Sequence, residues 1–302
     1  FGFDTFRPLQ EEIINAALDG DDVLVLMPTG GGKSICFQVP ALKQEGLTVV
    51  ISPLIALMKD QVDGLIEQGV PATYLNSTLS EKEVKSRLSE VHNGKYKLLY
   101  MSPERVRLSG TENLFNSIKV ERFVVDEAHC ISEWGHDFRP DYRQFSELRN
   151  KFKEVPIMAL TATATSRVKK DIARQLDLKH PKIFISSFNR PNLSYSVIAK
   201  KKPIEKILDV IDRNDGESGI IYCNKRATTE ELKDQLTSRG INAVAYHAGL
   251  PLEERNENQE SFVHDRVQVV CATIAFGMGI DKPNVRFVIH YNIPKSLESF
   301  YQ

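Results

Sequence analysis

Short runs rich in Val, Ile and Leu alternate along the chain with stretches whose apolar residues recur at helical spacing. In the first part the runs are Val23–Leu26, Thr48–Ile51, Lys97–Met101, Arg122–Val125, Ile157–Thr161 and Ile183–Ser186. Each is apolar on consecutive positions instead of every second one, the pattern of a strand buried on both faces. Strands of that kind separated by helices predict a parallel sheet covered by helices. The rhythm breaks at "SSFNRPNLSY", Ser186 to Tyr195, a polar stretch with a proline that reads as a domain boundary. It resumes with Gly219–Cys223, Ala243–His247, Gln268–Ala272 and Arg286–His290. The expectation is therefore two α/β domains, 1–188 and 189–302, with a ligand between them at the carboxyl ends of the strands.

One turn in this pattern carries chemistry. "LMPTGGGKSI", Leu26 to Ile35, places three glycines between the first apolar run and the apolar start of a helix at Ile35-Cys36-Phe37. A strand-to-helix turn of this kind exposes backbone N–H groups and the positive end of a helix, and so forms an anion site. Thr29, Gly30, Gly31 and Gly32 would line it, Lys33 would reach terminal phosphates, and Ser34 would hold Mg2+, as in the loop G-x-x-x-x-G-K-[ST]. Met27 stands where that pattern has its first glycine. An ordinary glycine turn with a surface lysine is the plainer alternative; the strand before and the helix after favour ATP.

Composition removes other classes. With 41% hydrophobic and 26% charged residues, 302 residues suit two soluble domains with their own cores. No apolar run approaches the roughly 20 residues of a membrane span, and no secretory leader is visible. A formal net charge of −1 leaves no global basic footprint, so contacts with nucleic acid must come from local patches. Cys36, Cys130, Cys223 and Cys271 are scattered without C-x-x-C spacing, which argues against zinc and suits a reducing, intracellular compartment. The lysines at 200 to 202 read as a solvated turn. Without an initiating Met and without a helix-stop signal at Ser299-Phe300-Tyr301-Gln302, the chain is expected to be part of a longer polypeptide.

"FVVDEAHC", Phe123 to Cys130, ends an apolar strand in two adjacent carboxylates. Asp126 would meet the magnesium ion, and Glu127 would orient or deprotonate the attacking water. Alone, an Asp-Glu pair after a strand is more often a solvated helix start; with the phosphate loop upstream it is a strong signal. Asp126-Glu127-Ala128-His129 resembles the DEAH box of superfamily 2 helicases, and "CISEWGHDFRPDY", Cys130 to Tyr142, resembles the aromatic-rich loop of the RecQ family of DNA helicases. The likeness runs from "FGFDTFRPLQ" to the last residue and covers the helicase core.

That resemblance implies two RecA-like α/β domains with the nucleotide cleft between them, ATP and Mg2+ as cofactors, and 3′ to 5′ movement along single-stranded DNA with unwinding of 3′-tailed duplex. In "FGFDTFRPLQ" it implies that Phe3 stacks on adenine, Gln10 reads its edge and Arg7 supports them. A hydrophobic helix entry with Gln10 on its surface is the plainer reading of the same residues. Trp134, His136, Phe138 and Arg139 would form a DNA sensor, since bases stack on aromatic and guanidinium planes; Trp134 as a core anchor is the alternative. Ser52–Gln61, Ser102–Val106 and Leu160–Thr165 fall where the family places its DNA track, although their hydroxyls fit helix N-caps equally well. Thr161 and Thr163 resemble the segment that couples hydrolysis to domain movement.

In the second domain the resemblance assigns Gly277, Gly279 and Asp281 to the nucleotide, and Asn224, Arg226, His247 and Thr273 to DNA. The family's arginines that complete the ATP site would follow Gln302. Such an arginine is worth a factor of ~10³ or more, so the stretch as written is expected to bind ATP and hydrolyse it poorly. A nucleotide-gated DNA-binding or remodelling protein without productive unwinding is the rival expectation.

Overall fold

The computed structural model describes residues 1–302 apart from residues 3, 107–108, 133–144, 163, 188, 191, 274–275, 277–281, 295–299 and 301–302 and the side chains of 56, 109, 146 and 147. The chain forms two compact units, Phe1–Pro191 and Asn192–Phe300.

In the first unit the strands are β1 (Val23–Leu26), β2 (Leu47–Ile51), β3 (Ala72–Leu75), β4 (Leu98–Met101), β5 (Val120–Val125), β6 (Ile157–Thr161) and β7 (Lys182–Ile185). Among the described residues they build one sheet in the order β3-β4-β2-β5-β6-β1-β7, and every pairing is parallel. The alternation of side chains explains the continuous apolar runs. Leu24, Leu26, Val49, Ile51, Leu99, Phe123, Val125 and Ala159 enter one core cluster, while Val23, Val25, Val50, Leu98, Val124, Met158 and Leu160 enter a second. Both faces are buried, so both sets must be apolar. Helix α1 (Gln10–Leu18) precedes β1 and helix α2 (Ile35–Lys43) follows it.

The amino ends of the strands are fastened by one buried carboxylate. Asp22, directly before β1, accepts from the backbone N–H of Ile157 at 2.7 Å and of Lys179 at 2.6 Å, and pairs with Arg149. Three segments next to β6, β1 and β7 are thus held in register. Removing one partner of such a buried pair costs about 3–5 kcal/mol, so Asp22 belongs to the scaffold.

The second unit contains β8 (Ser218–Tyr222), β9 (Ala243–Tyr246), β10 (Val269–Ala272) and β11 (Val285–His290). Their described sheet runs β11-β8-β10-β9, again all parallel. Gly219 on β8 is required by packing: a Cβ there would collide with the ring of Phe287, its register partner on β11. No helix among the described residues is long and apolar enough to cross a membrane.

Parallel strands carry their loops away from the same end. In each unit, therefore, every segment that follows a strand emerges along one sheet edge, where ligands of open α/β sheets bind.

Candidate active site

At the carboxyl edge of the first sheet β1, β6 and β5 lie side by side with β6 in the middle. The phosphate loop follows β1, the two carboxylates follow β5, and Thr161 ends β6 between them.

Met27, the residue that departs from the glycine-rich pattern, is buried in the core cluster with Val25, Phe37 and Leu160, and its N–H donates to Thr161 O at 3.1 Å. An apolar anchor here fixes where the loop begins. Beyond it the backbone turns through left-handed conformations at Gly30 (φ 75°) and Gly32 (φ 84°), which a side chain would strain. A Cβ on Gly31 would stand 2.8 Å from Pro28 O, and one on Gly32 would collide with the Gln10 amide. Thr29 and Gly30 are exposed, and Gly31 to Ser34 are partly buried. The Lys33 ammonium donates to Met27 O at 3.2 Å and Pro28 O at 3.5 Å, folding the lysine over its own loop. Ser34 precedes α2 and its hydroxyl makes no capping bond.

Arg7 and Gln10 join this loop. Gln10 is buried; its Nε2 donates to Gly32 O at 2.9 Å and its Oε1 accepts from Arg7 N at 2.8 Å. Arg7 Nη1 donates to Gly30 O. Residues far apart in sequence thus grip the glycine carbonyls, while within the loop Gly31 N donates to Pro28 O at 2.9 Å.

Asp126 continues the β5 ladder, its N–H donating to Ile51 O at 2.9 Å, and its Oδ1 accepts from Glu127 N at 3.0 Å. A margin of the residue still meets solvent, yet its carboxyl is pushed up to about 7. Desolvation is the main cause and the neighbouring Glu127 carboxylate the second; Lys33 opposes both. Two crowded carboxylates short of positive charge are the donor set a hard divalent cation satisfies, and with the uncommitted Ser34 hydroxyl they fit Mg2+.

Glu127 sits at φ 47°, ψ 45°, a left-handed conformation that costs a side-chain-bearing residue about 1–3 kcal/mol and concentrates at functional sites. The turn aims Glu127 back along the edge: its Oε2 lies 3.2 Å from His129 Nδ1, which is itself 3.0 Å from Thr161 Oγ1. The DEAH segment and the end of β6 are so joined through a buried imidazole. This junction has no local signal, because it links residues 32 apart.

The other hydroxyl segments are locally occupied. Ser52 Oγ accepts from Leu54 N at 3.5 Å, Ser102 Oγ donates to Glu104 at 2.6 Å, and Thr165 caps the helix Ser166–Gln175 by accepting from Val168 N at 3.3 Å. The N-cap alternative therefore holds for Thr165. Phe3, Trp134, His136, Phe138, Arg139, Thr163, Gly277, Gly279 and Asp281 lie outside the described residues.

On the second sheet, Asn224 and Arg226 follow β8, His247 follows β9 and Thr273 follows β10, so one edge gathers all four. Asn224 and Arg226 are exposed, Thr273 is partly buried and His247 is buried. Asn292, after β11, accepts from Asn224 N at 3.3 Å and ties the loop after β8 to the edge. Its role was invisible in sequence because its partner is a backbone group 68 residues away.

Comparison with known proteins places this geometry. The DEAD/DEAH box helicase family matches residues 7–172, and the helicase conserved C-terminal domain matches residues 200–302. The chain is 51% identical over 302 residues to the ATP-dependent DNA helicase RecQ of Pasteurella multocida, covering all of this chain and 48% of that protein. It is 50% identical over 314 residues to the RecQ-like DNA helicase BLM of Xenopus laevis, covering all of this chain and 23% of that one. The chain thus spans about half the length, or less, of these curated relatives. In fold it is similar to the DEAD-box helicase Mss116 bound to ssRNA and UDP-BeF, with a TM-score of 0.79 at 19% identity, over 99% of this chain and 67% of that one.

Proposed function

Since the chain belongs to the DEAD/DEAH box helicase family, as a helicase core of the RecQ type, we propose that it couples ATP hydrolysis to 3′ to 5′ movement on single-stranded DNA and to unwinding of 3′-tailed duplex. The observation that carries this reading is the shared edge of β1, β6 and β5, where the phosphate loop, Thr161 and the Asp126-Glu127 pair converge and His129 joins the last two.

In that reading the N–H groups of Thr29, Gly30, Gly32, Lys33 and Ser34 and the Lys33 ammonium receive the phosphates, while Gly31 N stays bonded to Pro28 O. Lys33 exchanges the carbonyls of Met27 and Pro28 for them, a short swing of a flexible side chain. Ser34 and Asp126 hold Mg2+, which supplies charge neutralisation at the phosphates. Ionising Asp126 with Glu127 beside it is favoured once that positive charge is present. Glu127 orients the attacking water and takes its proton, with His129 fixing the carboxylate. Thr161, touching both the loop through Met27 and His129 through its hydroxyl, is placed to pass the hydrolysis state along β6.

Phe3, Arg7 and Gln10 face the adenine. Gln10 spends one N–H on Gly32 O and one lone pair on Arg7 N, which leaves a second donor and a second acceptor site for the adenine edge, so the residue that reads the base also holds the loop. Gly277, Gly279 and Asp281 contribute to the nucleotide from the second domain. Trp134, His136, Phe138 and Arg139 sense bases by stacking, and Asn224, Arg226 and Thr273 contact the strand. Acting on DNA implies an intracellular protein. The nucleotide-gated alternative is not favoured, since the relatives similar over the whole chain are named ATP-dependent or RecQ-like DNA helicases.

The test is ATP hydrolysis by the full-length protein with Mg2+, with and without single-stranded DNA, alongside unwinding of 3′-tailed and 5′-tailed duplexes. Stimulated hydrolysis with unwinding of the 3′-tailed substrate supports the reading. Hydrolysis indifferent to DNA sinks it.

A further inference from the structure

His247 is the buried member of the second unit's edge, and its ring is engaged on both sides. Gly249 N donates to Nδ1 at 3.2 Å, so Nδ1 is the acceptor and Nε2 carries the proton. Nε2 lies 2.8 Å from Glu230 Oε1 and donates to it. Only 6% of the residue is exposed, which leaves little surface for a ligand.

Glu230 and Arg226 stand four residues apart on the helix Arg226–Thr237 and share one face. The turn from His247 to Leu250, closed by Leu250 N donating to His247 O at 3.1 Å, lies along that face. His247 meets Glu230, and Gly249 meets Arg226. A Cβ on Gly249 would stand 3.2 Å from both Cδ and Nη1 of Arg226. The guanidinium stem therefore rests on a glycine whose N–H is held by the histidine. Lys233, one turn further, bonds Asp234 at 2.6 Å and stands 3.8 Å from the other oxygen of Glu230.

We infer that His247 and Glu230 are positioning residues: they hold the Gly249 turn as a platform that sets where exposed Arg226 presents its charge to the DNA backbone. The proposal rests on the reading of this edge as a DNA-binding surface. It assigns to Glu230 and Gly249 a part in DNA binding, and it withdraws His247 from direct contact.

The sign of the Glu230 effect decides the matter. Removing a carboxylate from beside a phosphate-binding surface ordinarily tightens binding, because repulsion is relieved. The platform predicts the opposite. In the full-length protein, Glu230→Ala and His247→Ala should each weaken single-stranded DNA binding several-fold, and the double variant should be no weaker than either single one. Each should also lower the slope of log affinity against log salt by about one, the change expected of Arg226→Ala, although neither removes a cation. Glu230→Gln keeps an acceptor for Nε2 and should bind like the unmodified protein. Measured well below the melting temperature, tighter binding by Glu230→Ala with weaker binding by His247→Ala would mean direct contact by the histidine and overturn the proposal. Lower melting temperatures with unchanged affinity and slope would reduce the pair to scaffold and overturn it too. If the unmodified protein binds no DNA, the proposed function falls and takes this inference with it; normal binding with an indifferent Glu230→Ala sinks the inference alone.

Discussion

The two sheet edges are built alike and furnished differently. On the first, charged groups crowd together: Lys33 folded on its loop, Asp126 raised by burial and by Glu127, and Glu127 in a left-handed turn against His129. On the second, the exposed groups after β8 include an amide, an ammonium and a guanidinium, Asn224, Lys225 and Arg226, with Asn292 bonded to Asn224 N and the Gly249 turn against Arg226. The first arrangement stores electrostatic strain that a cation and a phosphate relieve, which suits chemistry. The second keeps cationic surface in water, which suits a grip on a charged polymer that must be released and retaken. The same parallel topology thus supports two tasks, and the side chains after each strand decide which.

The largest effects should come from the crowded edge. Lys33→Ala should lower ATP turnover by at least about a hundredfold, the scale of removing a fixed charge from a phosphoryl-transfer site. Its melting temperature should barely move, because among the described residues Lys33 bonds carbonyls of its own loop. Retained hydrolysis would break the contrast between the two edges. Glu127→Gln should follow, with turnover down by roughly a hundredfold or more and nucleotide still bound, since the amide keeps the shape and cannot take a proton. Comparable turnover would remove Glu127 from the chemistry.

The elements were legible because burial on both faces of a parallel sheet leaves an unbroken apolar run. β1 and β6 fall where those runs predict, and the other anticipated strands differ by a residue or two. β3 was missed: Ala72-Thr73-Tyr74-Leu75 is a short outer strand with two polar-tipped side chains and resembles a loop. Within the site, local motifs announced the phosphate loop and the carboxylates. What they could not announce is any bond made across the sheet. His129 to Thr161 depends on β5 lying beside β6, while Gln10 to Gly32 and His247 to Glu230 depend on how a helix packs against the strand that follows it. Met27 shows the reverse case, where a departure from a motif has a packing cause that appears only once β6 lies beside β1.

A smaller effect should appear where the edges answer to DNA. Trp134→Ala in the full-length protein should reduce hydrolysis far more with single-stranded DNA present than without, by the ~1–3 kcal/mol of one stacked base. A fall in melting temperature together with loss of both rates would make Trp134 a core anchor and overturn the proposal that its loop senses DNA.

The smallest effect concerns stability alone. With its folded value near 7, against an ordinary carboxylate value of 3.8, Asp126 holds its proton in the folded protein over a range where the unfolded chain has lost it. The folded state then binds more protons than the unfolded one, so stability falls as pH rises from about 4 to about 7 and is flat beyond. This is opposite to a salt-bridged aspartate, whose contribution is lost in acid. Asp126→Asn removes the titration, so without Mg2+ and nucleotide it should raise the melting temperature at pH 8 and do so less, or not at all, at pH 5. Adding Mg2+ with a non-hydrolysable ATP analogue should raise the melting temperature of the unmodified protein at pH 8 more than that of Asp126→Asn, because the neutral amide offers the ion less. A variant no more stable at pH 8 than at pH 5, relative to the unmodified protein, would show that the crowding of Asp126 and Glu127 is relieved within the protein. The first edge would then hold no more electrostatic strain than the second.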